Sequence, residues 1–239
     1  MGEHARVPSR DYRVIKLTDA DPKYWGPDQD VIDSLCAMLP PDANVLEIGP
    51  GTVPFPKAKK FVDIRELKGL DIIKCDVNES PLPFADKEFD FVYARHVLED
   101  MFQPFNLCRE MSRVAKAGFV ETPSPVCEFV RGVDGGSPNW RGYHHHRFII
   151  WPHGSILYFV SKFPLIEQIA SGTEDRLIEI LRRGSMAWNT RFYWTDTLKY
   201  KHVQCPQDFM LPGEYPDIIG RACEEWLADL EKPKVWGNS

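Results

Sequence analysis

The residues with the clearest chemical potential lie in VLEIGPG (residues 45–51), where an apolar run ends in an acid and two glycines. Gly49 and Gly51, separated only by Pro50, allow a tight turn and a close approach of the backbone to a ligand. Glu47 would lie at the end of the apolar run, where its carboxylate can meet an ammonium group or order the loop through backbone amides. The pattern predicts a ligand-binding turn.

Two further acids follow this turn, each at the end of another apolar run. Asp63 lies in FVDI, and Asp76 follows IIKC. An acid at a strand end can accept hydrogen bonds from both hydroxyls of a ribose, which predicts that role for Asp63. Asp76 could accept a hydrogen bond from the amino group of an adenine. A G-x-G turn alone is weak support for a ligand site, but two acids placed after it make the pattern strong.

Histidine supplies the candidate acid–base chemistry. His96 follows the run FDFVYAR, and a neutral imidazole is a suitable base for taking a proton from a hydroxyl group. A hydrogen-bonded histidine that only shapes the loop before VLEDMF is an equally supported interpretation. Glu99 and Asp100, in that loop segment, are interpreted as the acidic first turn of a short helix.

A run of three histidines, GYHHHRF, is the second candidate. Adjacent residues of an extended segment alternate between faces, so His144 and His146 would lie on one side. His146 could be a base, or the two histidines could bind a divalent metal with a carboxylate, while surface or packing roles explain them as well. Because the chain has no C-x-x-C and no H-E-x-x-H motif, we predict no metal site.

Five short apolar runs are predicted as the strands that position these residues. They cover 45–48, 61–64, 72–75, 89–94 and 118–121. Helices are predicted over 28–39, with Asp28 as the cap, and over 104–116, with proline at the first position. Strands separated by crossovers predict an α/β fold with a mostly parallel central sheet and helices on both faces. The acids would then meet at the carboxyl edge of the sheet, where open sheets bind ligands.

The pattern changes after residue 123. Loop is predicted over 123–143, a hairpin at the sheet edge over 147–151 and 156–162, and helices over 174–183 and 218–231. The segment MAWNTRFYWTDTLKY lies between the two helices, and its rings could hold a sugar or a flat metabolite, although packing in the core explains most of them. Arg191, within it, could meet an anionic substrate. We predict one domain over 1–239, with a core of about 28–165 and a C-terminal substrate-side elaboration over 166–239.

The composition narrows the class of protein. The chain has 239 residues, a formal net charge of −6, 43% hydrophobic and 27% charged residues, which is an ordinary globular composition. The acidic balance argues against a nucleic-acid partner. We expect no membrane span, because no apolar stretch reaches the roughly 20 residues needed, and no secretory signal. Six cysteines without a paired spacing are predicted to be reduced, buried thiols of a cytoplasmic protein.

Taken in order, the motifs VLEIGPG, FVDI, KCDV, LPFADKEFDFVYARHVLEDMFQP and CREMSRVAKAGFVETPSP resemble those of class I S-adenosylmethionine-dependent methyltransferases, most closely the methyltransferase type 11 family, over roughly residues 40–125. The resemblance implies the Rossmann-like class I methyltransferase fold and S-adenosylmethionine as the cofactor. It also implies the cofactor-binding residues, position by position: Glu47, Gly49, Pro50 and Gly51 at the methionine end, Asp63 at the ribose, Asp76 and Val77 at the adenine, and Arg95 with His96 near the sulfonium.

The sequence departs from the family in the region after the glycine turn. Val53 stands where a third glycine is common, and eleven residues separate Gly51 from Asp63, with Pro54 and Pro56 among them. Proline this early stops a long helix, so the first crossover helix is predicted to be short or absent. The cofactor site is therefore predicted to be an unusual variant.

The residues and the resemblance together predict methylation of a hydroxyl group on a small-molecule or carbohydrate acceptor, such as a glycan sugar, with His96 and His146 as the catalytic candidates. The alternative is a non-catalytic binding or partner subunit on the same fold. A nicotinamide-dependent dehydrogenase is disfavoured because the spacing is E-x-G-x-G and not G-x-G-x-x-G. Metal-dependent hydrolysis through the histidine run is a third alternative.

Overall fold

The structure, a computed structural model, describes residues 26–134, 139–169, 174–204 and 214–232. The strands in these residues, numbered along the chain, are β1 (Val45–Ile48), β2 (Lys60–Asp63), β3 (Ile72–Lys74), β4 (Phe89–Arg95), β5 (Ala115–Pro123), β6 (Phe148–His153), β7 (Ile156–Ser161), β8 (Asn189–Thr195) and β9 (Tyr200–His202). The helices are α1 (Gln29–Met38), α2 (Pro104–Val114), α3 (Pro125–Phe129), α4 (Glu174–Leu181) and α5 (Glu214–Leu230), with 3₁₀ turns at Pro164–Gln168 and Ser185–Ala187.

The central sheet has the strand order β3-β2-β1-β4-β5-β8. Its first five strands are parallel, and β8 joins the β5 edge in the antiparallel direction. The chain leaves β1 toward β2 and β3 on one side and returns to β4 on the other, so the strand order reverses between β1 and β4. In open α/β sheets this switch point is where ligands bind, beyond the carboxyl ends of the strands. The predicted fold, Rossmann-like with a mostly parallel central sheet, is confirmed.

One helix covers each face of the parallel strands. Successive side chains of a strand point to opposite faces, so neighbouring residues of β1 pack against different helices. Leu35 of α1 lies in one apolar cluster with Val45, whereas Met111 of α2 lies in another with Leu46. Asp28 caps α1 as predicted, since its carboxylate accepts a backbone N–H of the first turn at 3.1 Å.

The connections at the carboxyl edge are loops. Residues 49–59, between β1 and β2, form turns and irregular chain, which confirms the predicted loss of a long first crossover helix. Residues 98–100 also form a turn, so the helix start predicted at Glu99 and Asp100 is wrong. The backbone oxygen of Glu99 accepts instead from the backbone N–H of Arg147, at 2.7 Å. This bond joins the loop after β4 to the segment that leads into β6.

The predicted hairpin exists as β6 and β7, which pair in the antiparallel direction. Its predicted place at the edge of the central sheet is wrong, because the hairpin forms a separate sheet with β9, in the order β6-β7-β9. The edge of the central sheet is β8, which comes from the aromatic-rich segment. Gly118 of β5 leaves room for this strand, since a Cβ atom there would lie 2.7 Å from the Trp194 ring.

The C-terminal elements enclose a second core. Trp151, Trp188 and Trp226 lie buried in one cluster with residues of α3, α4 and α5, so packing explains these rings. Helix α3 lies in the segment predicted as loop, and α5 begins at Glu214 and not at residue 218. Within the described ranges, no helix combines the length and the apolar character that a membrane span requires.

The cysteines of the described residues are free thiols. Cys108, Cys127 and Cys223 are buried as predicted, whereas Cys36 and Cys75 are partly exposed. Burial raises the pKa of the Cys223 thiol to about 12, which makes it unreactive near neutral pH. Cys205, also predicted as buried, lies outside the described residues.

Candidate functional site

A cavity of about 310 Å³ opens at the carboxyl ends of β1 to β4, at the switch point of the central sheet. It brings together five of the residues predicted from the sequence: Gly49, Asp63, Asp76, Val77 and His96. The other residues of its wall include Asn78, Val97, Asp100 and Met101. We call this space the strand-end cavity.

Gly49 is the one residue of the glycine turn that lines the strand-end cavity. Gly49 has a φ of +68° and Gly51 a φ of +57°, a region that favours glycine. A Cβ atom on Gly49 would also lie 2.6 Å from Cγ2 of Val97, whereas one on Gly51 would meet nothing within 4 Å. Gly49 is therefore required by a close contact as well as by its backbone conformation.

The two acids after the turn are held by local backbone amides. The Oδ1 atom of Asp63 accepts from the backbone N–H of Arg65 at 2.8 Å, and Oδ1 of Asp76 accepts from that of Asn78 at 2.9 Å. An acid bonded to an amide two residues later is fixed in orientation. Asn78 in turn accepts from the backbone N–H of Phe102 at 2.9 Å, which ties the loop after β3 to the loop after β4.

Glu47 is not part of the cavity wall. Its side chain is buried, and Oε2 accepts from the backbone N–H of Phe55 at 2.8 Å. Burial raises the pKa of this carboxyl to about 7, against the opposing effects of that hydrogen bond and of Arg95. Of the two roles that the sequence suggested for Glu47, the structure shows the ordering of the loop. Pro50 and Gly51 also lie outside the lining residues of the cavity.

Arg95, predicted near the sulfonium, belongs to a buried ion pair. Its Nε lies 2.7 Å from Oε1 of Glu121, and Nε of Arg191 lies 2.8 Å from the other oxygen of the same carboxylate. Glu121 on β5 and Arg191 on β8 are register partners. The side chain of Arg191 is only 2% exposed, so the suggestion that it meets an anionic substrate is wrong.

His96 lines the strand-end cavity immediately after β4, and two acids face its ring. Nδ1 lies 3.0 Å from Oε1 of Glu99, and Nε2 lies 4.0 Å from Oε1 of Glu121. The backbone of His96 has a φ of +53°, and its N–H donates to the carbonyl of Glu121 at 2.8 Å. Backbone strain of this kind is concentrated at functional sites. The strain and the buried Glu99 together fix the imidazole at the cavity wall.

A second cavity, of about 480 Å³, lies beside the histidine run. Its wall consists of Phe102, His144, His145, His146, Arg147, Phe148, Ser161, Lys162 and Phe163. We call this space the histidine-side cavity. The prediction that His144 and His146 share one side of an extended segment is wrong, because residues 144 and 145 form a turn. His144 is exposed and His146 is buried.

Buried charges hold His146 in place. Its Nδ1 lies 2.6 Å from Oε1 of Glu128, and Nζ of Lys162 lies 2.5 Å from the other oxygen of that carboxylate. Burial alone would raise the pKa of Glu128, but the charges of Lys162 and His146 outweigh it and hold the pKa at about 2. Glu128 lies in a segment predicted as loop, and no spacing in the sequence links it to the histidines.

Asp100 connects the two cavities. It lines the strand-end cavity, and its Oδ1 lies 3.7 Å from Nε2 of His145 and 3.8 Å from Nε2 of His146. Burial, followed by the negative charge of Glu99, raises the pKa of Asp100 to about 6. The sequence interpretation missed this acid as a site residue because it assigned the residue to a helix start.

The sequence was compared with known proteins. Residues 35–119 match the family model of a methyltransferase domain, Methyltransf_11. No match was found among curated proteins. The matched residues run from α1 to β5 and include the predicted cofactor residues of the strand-end cavity.

Three solved structures give a measure of the structural likeness. A SAM-dependent methyltransferase and possible histamine N-methyltransferase of Thermotoga maritima is 24% identical, over 39% of this chain and 50% of that one, with a TM-score of 0.33. An S-adenosylmethionine-dependent methyltransferase of Mesorhizobium loti is 20% identical, over 40% and 54%, with a TM-score of 0.33. A SAM-dependent methyltransferase of Aquifex aeolicus is 18% identical, over 42% and 75%, with a TM-score of 0.29. The chain spans about half of the length of the first two.

Proposed function

We propose that this chain, whose residues 35–119 belong to the methyltransferase type 11 family of class I S-adenosylmethionine-dependent methyltransferases, transfers a methyl group to a hydroxyl of a small molecule or a glycan sugar. The observation that carries the proposal is the strand-end cavity. It lies at the switch point of the sheet, where the fold binds ligands, and five residues predicted for the site from sequence line it.

The residues of this cavity fit the proposed cofactor. Asp63 and Asp76 offer carboxylates suited to ribose hydroxyls and to an adenine amino group, and Val77 offers an apolar contact. At Gly49 a Cβ atom would lie 2.6 Å from Val97. The position therefore has no room for a side chain and leaves the backbone open to the ligand. The volume, about 310 Å³, is within the range of small-molecule sites.

Bound S-adenosylmethionine supplies a methyl carbon that is already activated by its sulfonium, so the chain needs to align the acceptor and take its proton. His96 is proposed as the base that takes this proton. Glu99 engages Nδ1 at 3.0 Å, so a buried carboxylate orients the imidazole ring. An imidazole oriented by a carboxylate is a common arrangement for a general base.

The acceptor is proposed to enter from the histidine-side cavity. Phe102 and Phe163, two of the exposed large apolar residues, lie in its wall. Aromatic faces can pack on a sugar ring, and a polar group of the wall such as Ser161 can bind its hydroxyls. Asp100, in the wall of the strand-end cavity, lies 3.8 Å from His146, in the wall of the histidine-side cavity. This supports an acceptor that reaches from one cavity toward the other.

The proposal is tested first by thermal unfolding with S-adenosylmethionine, S-adenosylhomocysteine and NAD side by side. A ligand at 100 times its Kd stabilises by about 2.7 kcal/mol, which raises the Tm of a chain of this size by roughly 5–11 °C. A shift with the two adenosyl compounds and not with NAD supports the site. No shift with either compound would contradict it and would favour a binding or partner subunit.

Transfer itself is tested by incubating the protein with radiolabelled cofactor and panels of hydroxylated small molecules, sugars and amines. Label in a hydroxyl-bearing product supports the proposed acceptor class. Label only in amine products would contradict O-methylation while leaving methyl transfer intact. Cofactor binding without label in any panel member would contradict the enzymatic proposal.

A further inference from the structure

Three potential metal ligands from two loops converge between the cavities. Oδ1 of Asp100, on the loop after β4, lies 3.7 Å from Nε2 of His145 and 3.8 Å from Nε2 of His146, on the turn before β6. One ligand atom from each residue lies within 4.8 Å of the other two. The family resemblance assigns no role to Asp100 or His145.

The distances suit a divalent transition metal. Metal bonds to histidine nitrogen and to carboxylate oxygen are about 2.0–2.2 Å long, so two ligands of a tetrahedral ion lie about 3.4 Å apart. The separations of Asp100 from the two histidines, 3.7 and 3.8 Å, need to close by a few tenths of an ångström, and the two histidine ligand atoms, within 4.8 Å of each other, also need to move closer together. Asp100 and His145 have side chains that are 45% and 48% exposed, so both can make this adjustment.

His146 is already oriented as a metal ligand would be. Its Nδ1 is bonded to Glu128 at 2.6 Å, and Lys162 fixes the other oxygen of that carboxylate. A histidine that binds metal through one nitrogen commonly donates its other N–H to a carboxylate, which sets the tautomer and the ring orientation. Glu128 therefore directs the Nε2 lone pair of His146 toward Asp100.

We propose that Asp100, His145 and His146 bind a divalent transition-metal ion, with Zn²⁺ the best-matched metal. Two imidazoles and one carboxylate favour Zn²⁺ over Mg²⁺ or Ca²⁺, which prefer all-oxygen ligands. Three protein ligands leave a fourth position for a water or a substrate atom. This inference revises the sequence prediction of no metal, which considered His144 with His146 and not His145 with Asp100.

The position of the trio suggests what the ion would do. Asp100 lines the strand-end cavity, and both histidines line the histidine-side cavity. An ion there would hold a hydroxyl oxygen of the acceptor at the junction of the two cavities. This role rests on the proposed function, whereas the binding of the ion does not.

A second grouping competes for one of the ligands. Asp134, His144 and His145 also bring ligand atoms within 4.8 Å of one another. This grouping lacks the buried His146 and the carboxylate that orients it. His144 is thus the matched control: it neighbours the trio and belongs only to the competing group.

The test is a calorimetric titration of Zn²⁺ and of Mg²⁺ into the full chain, after removal of any affinity tag and of bound metal with a chelator. We expect one Zn²⁺ per chain and at least tenfold weaker binding of Mg²⁺. Asp100→Asn and His145→Ala, at half-exposed positions, should each weaken Zn²⁺ binding at least tenfold, and His144→Ala should leave it unchanged. Circular dichroism checks that each variant is folded.

Absence of Zn²⁺ binding would overturn the inference, as would binding that is lost in His144→Ala or that survives both other substitutions. The thermal shift with S-adenosylmethionine, measured in the presence of the chelator, separates this result from the proposed function. A shift without Zn²⁺ binding overturns the metal site alone. Zn²⁺ binding without a shift supports the metal site and contradicts the methyltransferase proposal.

Discussion

A Cβ atom on Gly49 would lie 2.6 Å from Cγ2 of Val97, in the wall of the strand-end cavity. Gly49 and Gly51 both have positive φ, so an alanine at either position carries similar backbone strain, about 1 kcal/mol or somewhat more. Only at Gly49 does the added methyl group collide with a neighbour. The two positions therefore separate the effect of the backbone from the effect of the contact.

We expect Gly49→Ala to abolish most of the thermal shift with S-adenosylmethionine and Gly51→Ala to retain it. The double variant Gly49→Ala with Val97→Ala removes the colliding atom and should recover part of the shift. The thermal unfolding of all three variants is measured with and without the cofactor. Equal losses in the two single variants, or no recovery in the double variant, would show that the contact with Val97 does not decide binding.

The parallel part of the fold was predictable because each strand is a short apolar run with its own end signals. The order of the acids Asp63 and Asp76 after the glycine turn placed them correctly at one edge, since the carboxyl ends of parallel strands coincide. The absence of a first crossover helix followed from Pro54 and Pro56. These features depend on local sequence.

The features that failed depend on contacts between distant residues. Strand β8 can pair with β5 because Gly118 has no side chain and leaves room for the ring of Trp194. Neither residue on its own predicts this pairing. The prediction that His144 and His146 share one side assumed an extended chain. The segment forms a turn instead, and Glu128 holds the ring of His146 by a hydrogen bond. Buried ion pairs of this kind leave no periodic pattern in a sequence.

The buried carboxylate of Glu121 is expected to be a major determinant of stability. It lies between Arg95 and Arg191, at 2.7 and 2.8 Å, with its own side chain 2% exposed. Glu121→Gln would remove the carboxylate nearest to both guanidinium groups and leave Arg191 with the more distant Asp28, at 3.9 Å, at a cost of about 3–5 kcal/mol. For a chain of this size the Tm should fall by roughly 6–20 °C.

The control for this prediction is the exposed pair of Lys116 and Asp90, also 2.7 Å apart. Lys116→Met should cost less than about 1 kcal/mol, because water screens an exposed pair. Both variants are compared by urea unfolding. Similar losses in Glu121→Gln and Lys116→Met would show that burial of the ion pair adds nothing.

Replacement of His96 is predicted to lower the rate of methyl transfer and to leave cofactor binding unchanged. Asparagine tolerates a positive φ, so His96→Asn removes the imidazole with little change in the backbone. We expect kcat to fall about 100-fold or more, with an unchanged thermal shift for S-adenosylmethionine. The measurement is methyl transfer to the acceptor found in the panel. An unchanged kcat would remove His96 from the mechanism.

The raised pKa of Glu47 predicts that the stability of the protein falls as the pH rises. Its folded-state pKa of about 7 lies above the ordinary value of 4.5. Between these values the unfolded chain has lost the proton while the folded chain retains it, so the free energy of unfolding falls as the pH rises. The difference amounts to about 3 kcal/mol and is complete above about pH 7. A carboxylate with a lowered pKa would give the opposite slope.

Glu47→Gln keeps an oxygen that can accept from the N–H of Phe55 but cannot ionise. The stability of this variant relative to the natural protein should therefore increase between about pH 4.5 and about pH 7.5, by about 3 kcal/mol. Urea unfolding at the two pH values measures it, with Glu79→Gln, at an exposed position, as the matched control for the substitution itself. A flat difference for Glu47→Gln would mean that the carboxyl is ionised in the folded protein throughout this range, and the ordering of the loop at Phe55 would then depend on a charged acceptor.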